Sequence, residues 1–228
     1  MIKLMIFDHD MTLVDSSDAI MASFNLVADA VGRPKVNHEQ VMHCIALPLP
    51  QFCEGLLGEY RPEWVDIYLK VSPETERKLL RPFPDTVPTV TRLREMGVSL
   101  AVASNREDPR PAMEGCGIAR YFDALLGAVG PKGRRPYKPD PAMLLELMDQ
   151  FSALPEQTLY IGDSDIDIET ALAAKVRGVG VARGHFTAEQ LLSFGAWRVV
   201  ASLEELPSIA EAEGVFPQAA SPRVGGDQ

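Results

Sequence analysis

The chain has 228 residues, of which 46% are apolar, and a formal net charge of −10. This length suits one large α/β domain or a core domain with a smaller insertion, and the apolar content excludes wholesale disorder. The negative charge argues against nucleic acid or an anionic membrane surface as the main partner, and any phosphate site must create positive potential locally.

The first apolar run, residues 2–7, predicts a buried strand that ends at Asp8-His9-Asp10-Met11-Thr12. Two carboxylates at the mouth of a buried strand are costly to desolvate without a partner. A polar turn and a catalytic loop explain these five residues about equally well, because Asp and Thr are also common turn residues. The rest of the chain has to decide between the two.

Residues 16–81 contain no convincing strand and predict a small helical domain inserted after the first strand. Apolar spacing and proline breaks predict helices at residues 19–31, 39–45, 51–57 and 63–69. This stretch is too long for a connecting loop. We expect hinges at residues 15–17 and 81–84, where the chain leaves and re-enters the core.

Strand-like runs then alternate with helical spacing through the rest of the chain. The strands are expected at residues 98–104, 125–129, 158–161, 179–182 and 197–200, and the helices at residues 89–96, 141–151, 166–174 and 187–194. This alternation predicts an α/β fold with a doubly wound parallel sheet. The core would comprise residues 1–15 and 82–214, and residues 215–228 predict a flexible tail.

Four polar clusters follow predicted strands, and the carboxyl ends of parallel strands share one edge of a sheet. The clusters are residues 8–12, Ser104-Asn105, the basic loop 132–138 and residues 162–167. They bring up to five carboxylates together: Asp8, Asp10, Asp163, Asp165 and Asp167. Such a group repels itself without a cation, and oxygen ligands favour a hard ion such as Mg²⁺. A metal beside Lys138 would give the local positive field that a phosphate needs.

Two other motifs fail on inspection. The run from Asp163 to Asp167 begins like an EF-hand calcium loop, but Ile168 replaces the turn glycine and Ala174 the bidentate glutamate. Gly178 and Gly180 suggest a dinucleotide loop, yet an arginine stands where the third glycine belongs. Neither a calcium loop nor a dinucleotide site is therefore expected.

The remaining histidines and cysteines predict no metal site. On an extended backbone the His9 side chain would point away from both neighbouring carboxylates, so we assign it a structural role. Cys44, Cys53 and Cys116 lack metal-ligand spacing and predict reduced thiols. With no apolar stretch of membrane-span length, we expect a cytoplasmic protein.

Taken together, the four clusters resemble the haloacid dehalogenase (HAD) superfamily in its phosphatase branch, with greatest likeness to phosphoglycolate phosphatases. Residues 8–12 resemble the Asp-x-Asp-x-Thr motif, Ser104-Asn105 the second motif, Lys138-Pro139-Asp140-Pro141 the third and residues 162–167 the acidic fourth. The family implies a Rossmann-like core with an inserted helical cap. Met11 departs from the family's usual glycine, and so does Ala46 in the segment that faces substrate in related enzymes.

The resemblance implies a Mg²⁺-dependent phosphatase of small phosphorylated metabolites. Asp8 would be the nucleophile that forms an aspartyl-phosphate, and Asp10 the general acid and then the base. Asp8, the Asp10 carbonyl and Asp163 would bind the metal, with Asp167 ligating or orienting it. Phosphate-binding roles would fall to four residues: Thr12, Ser104, Asn105 and Lys138.

Other functions stay open at this point. A sugar-phosphate mutase or a pyrophosphatase would use the same residues, and a phosphonate hydrolase would need a reactive lysine among Lys35, Lys70 and Lys78. A non-catalytic phospholigand-binding module would usually have lost the nucleophile or an acidic ligand, whereas this chain keeps both. Cap residues His43, Leu47 and Leu49 are candidates for shaping the pocket.

Overall fold

A computed structural model describes residues 1–131 and 133–215. Its strands, in chain order, are β1 Leu4–Phe7, β2 Val14–Asp15, β3 Arg81–Pro82, β4 Ser99–Ala103, β5 Ala124–Leu126, β6 Val129–Gly130, β7 Gly133–Arg134, β8 Thr158–Gly162, β9 Arg177–Val181 and β10 Arg198–Val200. Six of these form one parallel sheet in the order β10-β9-β8-β1-β4-β5. The predicted α/β parallel-sheet fold is therefore confirmed, with β1 between β4 and β8.

The helices lie on both faces of this sheet and in the segment after β2. They are α1 Ser17–Val31, α2 His38–Cys44, α3 Leu49–Leu57, α4 Pro62–Leu79, α5 Thr86–Glu95, α6 Arg110–Gly115, α7 Ala142–Gln150, α8 Asp165–Ala173, α9 Ala188–Ser193 and α10 Leu206–Glu213. Side chains of β1 alternate between two apolar layers, as strand geometry requires. Met5 and Phe7 pack with α5 and α10, and Leu4 and Ile6 pack with α7.

Helices α1 to α4 pack around an apolar cluster of their own. Its centre is Phe24, whose ring lies 4.9 Å from that of Phe52 and 4.7 Å from that of Tyr68. The antiparallel pair β2–β3 holds the two ends of this helical segment side by side. The division into a core of residues 1–15 and 82–214 and a cap of residues 16–81 stays a prediction.

Some elements differ from the prediction. Helix α4 continues ten residues past the predicted end at residue 69 and passes through Pro73. It continues because its distal half packs on α1, where Thr75 Oγ1 lies 2.5 Å from Ser23 Oγ. The prediction did not include helices α6 and α10 or the β6–β7 pair. These elements are short, so the apolar periodicity that indicates a helix or a strand extends over few residues.

At the end of the described chain, Val215 forms a β-bridge with Ile2. Residues 216–228 of the predicted tail lie outside the described residues. Within the described ranges, no helix has the length and apolar character needed to span a bilayer.

Candidate active site

The candidate site lies where β1, β4 and β8 end. Phe7 is paired with Val102 on one side and with Ile161 on the other, so Asp8, Ser104 and Asp163 follow at the same edge of the sheet. The predicted convergence of the polar clusters is thus present. These strands are buried on both faces, which fixes their register and the position of the polar residues that follow them.

Lys138 lies at the centre of this edge and is 4% exposed. Its Nζ donates to Asp8 Oδ1 and to Asp167 Oδ1, both at 2.7 Å, and lies 2.9 Å from the Tyr160 hydroxyl. Burial works to lower the pKa of Lys138, but the charges of Asp167 and Asp8 outweigh it and hold the pKa well above its usual range. Lys138 therefore stays an ammonium ion between two carboxylates.

Three buried carboxylates surround this lysine. Asp8, Asp163 and Asp167 each offer an oxygen, and these atoms lie within 4.8 Å of one another. Burial, reinforced by the neighbouring carboxylates and partly offset by Lys138, raises the pKa of Asp8 to about 7. Burial and the charges of Asp167 and Asp8 likewise raise the pKa of Asp163 well above its usual range. One ammonium does not neutralise three buried acids, so the cluster is chemically suited to a hard divalent cation.

Short hydrogen bonds orient these acids. The Thr12 hydroxyl donates to Asp163 Oδ1 at 2.9 Å, and the Ser164 hydroxyl donates to Asp167 Oδ2 at 2.7 Å where it caps α8. Thr12 thus contacts a candidate metal ligand, and its phosphate-binding role stays a prediction. Partners of this kind hold carboxylates in one orientation for an ion.

Two glycines make room for the same carboxylates. A Cβ on Gly162 would lie 2.3 Å from Asp167 Cγ, and one on Gly184 would lie 2.0 Å from Asp163 Oδ2. The sequence reasoning missed Gly184 and Tyr160. Neither carries a local signal, since Tyr160 looks like an ordinary strand residue and Gly184 lies beyond β9 in an unremarkable turn.

Asp10 points to a different partner. Arg106 Nε donates to Asp10 Oδ2 at 2.8 Å, Nη2 donates to Asp10 Oδ1 at 2.7 Å, and Nη1 donates to Glu76 of α4 at 2.5 Å. Burial acts to raise the pKa of Asp10, but the charge of Arg106, helped by His9, holds it well below its usual range. Asp10 is therefore ionised in this arrangement. Arg106 was missed, although it directly follows the Ser104-Asn105 motif.

The prediction for His9 is wrong in one respect. Its Nδ1 lies 3.3 Å from Asp10 Oδ1 instead of pointing away from that carboxylate. The strict alternation of a strand ends here, because the chain turns sharply at Met11, whose φ of 55° lies in the left-handed region. That conformation favours glycine, the residue the family usually carries at this position.

Ser104 and Asn105 shape the loop after β4. The Ser104 hydroxyl, buried, accepts from the Arg106 amide at 3.2 Å. Asn105 Oδ1 accepts from the Lys138 amide at 2.7 Å, and Asn105 Nδ2 donates to the Ala46 carbonyl at 3.2 Å. The Asn105 side chain therefore connects the Lys138 loop with the helical segment. The phosphate-binding role of Asn105 stays a prediction.

Asp165 does not join the acidic cluster. Its Oδ1 accepts from the next backbone amide, that of Ile166, at 2.8 Å. In the basic loop Arg134 and Arg135 pair with Glu107 and Glu146 respectively. The selection of Lys138 from that loop agrees with these contacts.

Comparison with known proteins places this arrangement in a family. The family model for haloacid dehalogenase-like hydrolases matches residues 5–181 of this sequence, which include every polar cluster described above. The chain belongs to the haloacid dehalogenase-like hydrolase family. Its position in this HAD family agrees with the resemblance drawn from the four motifs.

Curated relatives are similar over most of the chain. A tyrosine-protein kinase, PtkA of Mycobacterium tuberculosis, is 29% identical over 216 residues, which cover 93% of this chain and 73% of the relative. A phosphoglycolate phosphatase of Aquifex aeolicus is 28% identical over 177 residues, covering 75% and 81%. Among solved structures, a haloacid dehalogenase-like hydrolase from Bacteroides fragilis has a TM-score of 0.79 and 28% identity, covering 90% of this chain and all of the other.

Proposed function

We propose that this protein is a Mg²⁺-dependent phosphatase that hydrolyses small phosphorylated metabolites through an aspartyl-phosphate on Asp8. The observation that carries the proposal is the position of Asp8, whose Oδ1 lies 2.7 Å from the Lys138 ammonium within the cluster of three buried acids. The relatives named phosphoglycolate phosphatase support the same reaction class. The three cysteines are free thiols, which supports a cytoplasmic location.

Asp8 forms the covalent intermediate. One of its carboxylate oxygens attacks phosphorus, so that an O–P bond forms while the bond from phosphorus to the leaving oxygen breaks. A water molecule then attacks phosphorus, the Asp8 carboxylate is released and inorganic phosphate departs. Lys138 offsets the charge that the phosphoryl group brings beside Asp8 and Asp167.

Asp10 moves the protons of both steps. It gives a proton to the leaving oxygen in the first step and accepts one from the attacking water in the second. Arg106 occupies both oxygens of Asp10 in the structure. Before the first step it has to withdraw from at least one of them, and Asp10 then takes up from solvent the proton that it passes to the leaving oxygen. The ionised Asp10 seen here corresponds to the form that accepts a proton from water.

The metal would be held by Asp8 and Asp163, with Asp167 close by and the Asp10 carbonyl as the further ligand implied by the family. The fit rests on the donor set, since buried carboxylates with raised pKa values gain from an oxygen-seeking divalent ion. When bound, Mg²⁺ supplies positive charge to the phosphoryl oxygens.

The helical segment, residues 16–81, acts in this proposal as a cap that closes over the site. Two contacts join it to the loop after β4: Asn105 Nδ2 with the Ala46 carbonyl, and Arg106 with Glu76. Closure of such a segment excludes bulk water from the reacting groups.

The test is a screen of phosphorylated metabolites with Mg²⁺, measured as release of inorganic phosphate. Asp8→Asn should abolish release while leaving the circular dichroism spectrum unchanged, and a chelator should stop the wild-type enzyme. Full activity of Asp8→Asn would overturn the mechanism. An assay with ATP and a tyrosine-containing peptide tests for the activity named for the other relative, a tyrosine-protein kinase. Peptide phosphorylation without ester hydrolysis would overturn the proposal of a phosphatase in favour of a kinase.

A further inference from the structure

A cavity of about 250 Å³ lies between helices α3 and α4 and the loop after β4. Asp10, Asn105 and Arg106 line it on the side of the catalytic loop. Its other walls include six apolar side chains of the helical segment: Ile20, Ile45, Leu47, Leu49, Phe52 and Leu69. Because Asp10 is the proposed acid, this cavity lies where the leaving group of a substrate would be protonated.

The charged groups of this cavity are unsuited to an anion. Four carboxylates line it, those of Asp10, Glu76, Glu107 and Asp108, and among its described lining residues Arg106 is the one cation. Each of the three guanidinium nitrogens of Arg106 is already bonded, two to Asp10 and one to Glu76. Even when Arg106 withdraws from one oxygen of Asp10, it stays paired with Glu76 and with the other Asp10 oxygen. A carboxylate or second phosphate on the leaving group would therefore meet no unpaired positive charge among the described lining residues, and several carboxylates.

We propose that the leaving group of the physiological substrate is an apolar alcohol of aryl or alkyl type that carries no negative charge, bound in this cavity. The inference rests on the proposed function, because this alcohol is released when Asp8 takes the phosphoryl group. A dry apolar cavity of about 150 Å³ binds benzene, so a substituted ring fits here. Apolar walls with a few polar groups at one end are typical of small-molecule sites that orient an apolar ligand. This substrate class separates the chain from relatives whose name specifies glycolate, a carboxylate-bearing alcohol.

The experiment compares phosphate esters of matched reactivity with Mg²⁺ present. Benzyl phosphate and 4-carboxybenzyl phosphate release similar alcohols that differ in charge. We expect kcat/KM for benzyl phosphate to exceed those for 4-carboxybenzyl phosphate and for phosphoglycolate by at least about tenfold, equivalent to about 1.4 kcal/mol. Equal or faster turnover of either anionic ester would overturn the assignment.

Two variants on α4 test whether the preference for benzyl phosphate arises in this cavity. Leu69, 44% exposed, lines the cavity, whereas Leu79, 42% exposed, does not. Leu69→Lys should reduce the preference for benzyl over 4-carboxybenzyl phosphate by about tenfold, since it adds the missing cation. Leu79→Lys should leave the ratio unchanged. The same ratio in both variants would show that the leaving group binds elsewhere.

Failure of this inference differs from failure of the phosphatase itself. Hydrolysis of phosphoglycolate, lost in Asp8→Asn, with little turnover of benzyl phosphate would overturn the apolar leaving group and leave the phosphatase in place. Absence of phosphate release from every ester tested would overturn both.

Discussion

Arg106 holds both carboxylate oxygens of Asp10 through a two-pronged ion pair, with nitrogen–oxygen distances of 2.8 and 2.7 Å. The remaining guanidinium nitrogen bonds Glu76 on α4. The residue proposed to move protons is therefore connected to the helical segment through a single arginine. We therefore expect substrate binding, the position of the helical segment and the protonation of Asp10 to be coupled at this residue.

Arg106→Ala should destabilise the protein by about 3–5 kcal/mol, because it leaves two largely buried carboxylates without their cation. The pKa of Asp10 should rise, since the charge that lowers it is gone. Urea denaturation measures the free energy of unfolding. Arg77→Ala, which removes an exposed ion pair on α4, the helix that carries Glu76, is the control and should change stability little. Equal effects of the two substitutions on stability would contradict the role of Arg106 as the cation that pairs with Asp10 and Glu76.

The metal-free protein should lose stability as pH rises from 3.8 to about 7, the interval between the ordinary and the raised pKa of Asp8. A carboxyl whose pKa is raised by folding binds its proton more strongly in the folded state, so the free energy of unfolding falls as that proton is lost. Asp163 contributes with the same sign. With a chelator present, the free energy of unfolding should change less with pH across this range for Asp8→Asn than for the wild-type protein. An unchanged slope would show that Asp8 is not the titrating group.

Mg²⁺ should reverse that loss near neutral pH, because the ion binds the folded acidic cluster and not the unfolded chain. At a free concentration one hundred times the Kd, the stabilisation amounts to about 2.7 kcal/mol. Thermal melting with increasing Mg²⁺ measures it. Asp163→Asn should abolish the rise in Tm, whereas Asp149→Asn, exposed on α7, should retain it. A full Mg²⁺ response in Asp163→Asn would place the ion elsewhere.

Gly184→Ala should weaken Mg²⁺ binding and lower kcat, because the new Cβ would lie 2.0 Å from Asp163 Oδ2 and displace that carboxylate. A metal titration followed by melting temperature and by activity reports both effects. Gly115→Ala is the matched control, since its Cβ meets no atom within 4 Å and its position is helical. We expect that control to be neutral or stabilising by up to about 1 kcal/mol.

Asp85→Asn should cost about 1–3 kcal/mol above pH 4 and little in stronger acid. Burial acts to raise the pKa of Asp85, but hydrogen bonds from Arg183, Ser202 and the Leu203 amide lower it below 3.8. A carboxyl whose pKa is lowered by folding stabilises the protein above its ordinary pKa, and this contribution disappears as pH falls through the lowered value. The free energies of unfolding of the wild-type protein and of Asp85→Asn should converge at low pH. A constant difference between them at every pH would contradict this role of Asp85.

Local patterns in the chain are enough to predict the α/β class, the parallel sheet and the identity of the acids and the lysine that meet at its edge. Each of these follows from local information: apolar strands alternating with amphipathic helices, and polar residues directly after strands. Asp8, Lys138 and Asp163 were correctly brought together, because parallel strands place their carboxyl ends on one side.

The contacts that each acid makes depend on how elements distant in sequence pack together. Arg106 pairs with both Asp10 and Glu76. These three residues lie far apart in sequence, so no local pattern indicates their ion pairs. The length of α4 depends on packing against α1 through Thr75, which overrides the proline at position 73. Strand alternation misplaced His9 because the chain turns at Met11. Sequence periodicity specifies which face a residue occupies within its own element, whereas the partner on another element is set by how the elements pack together.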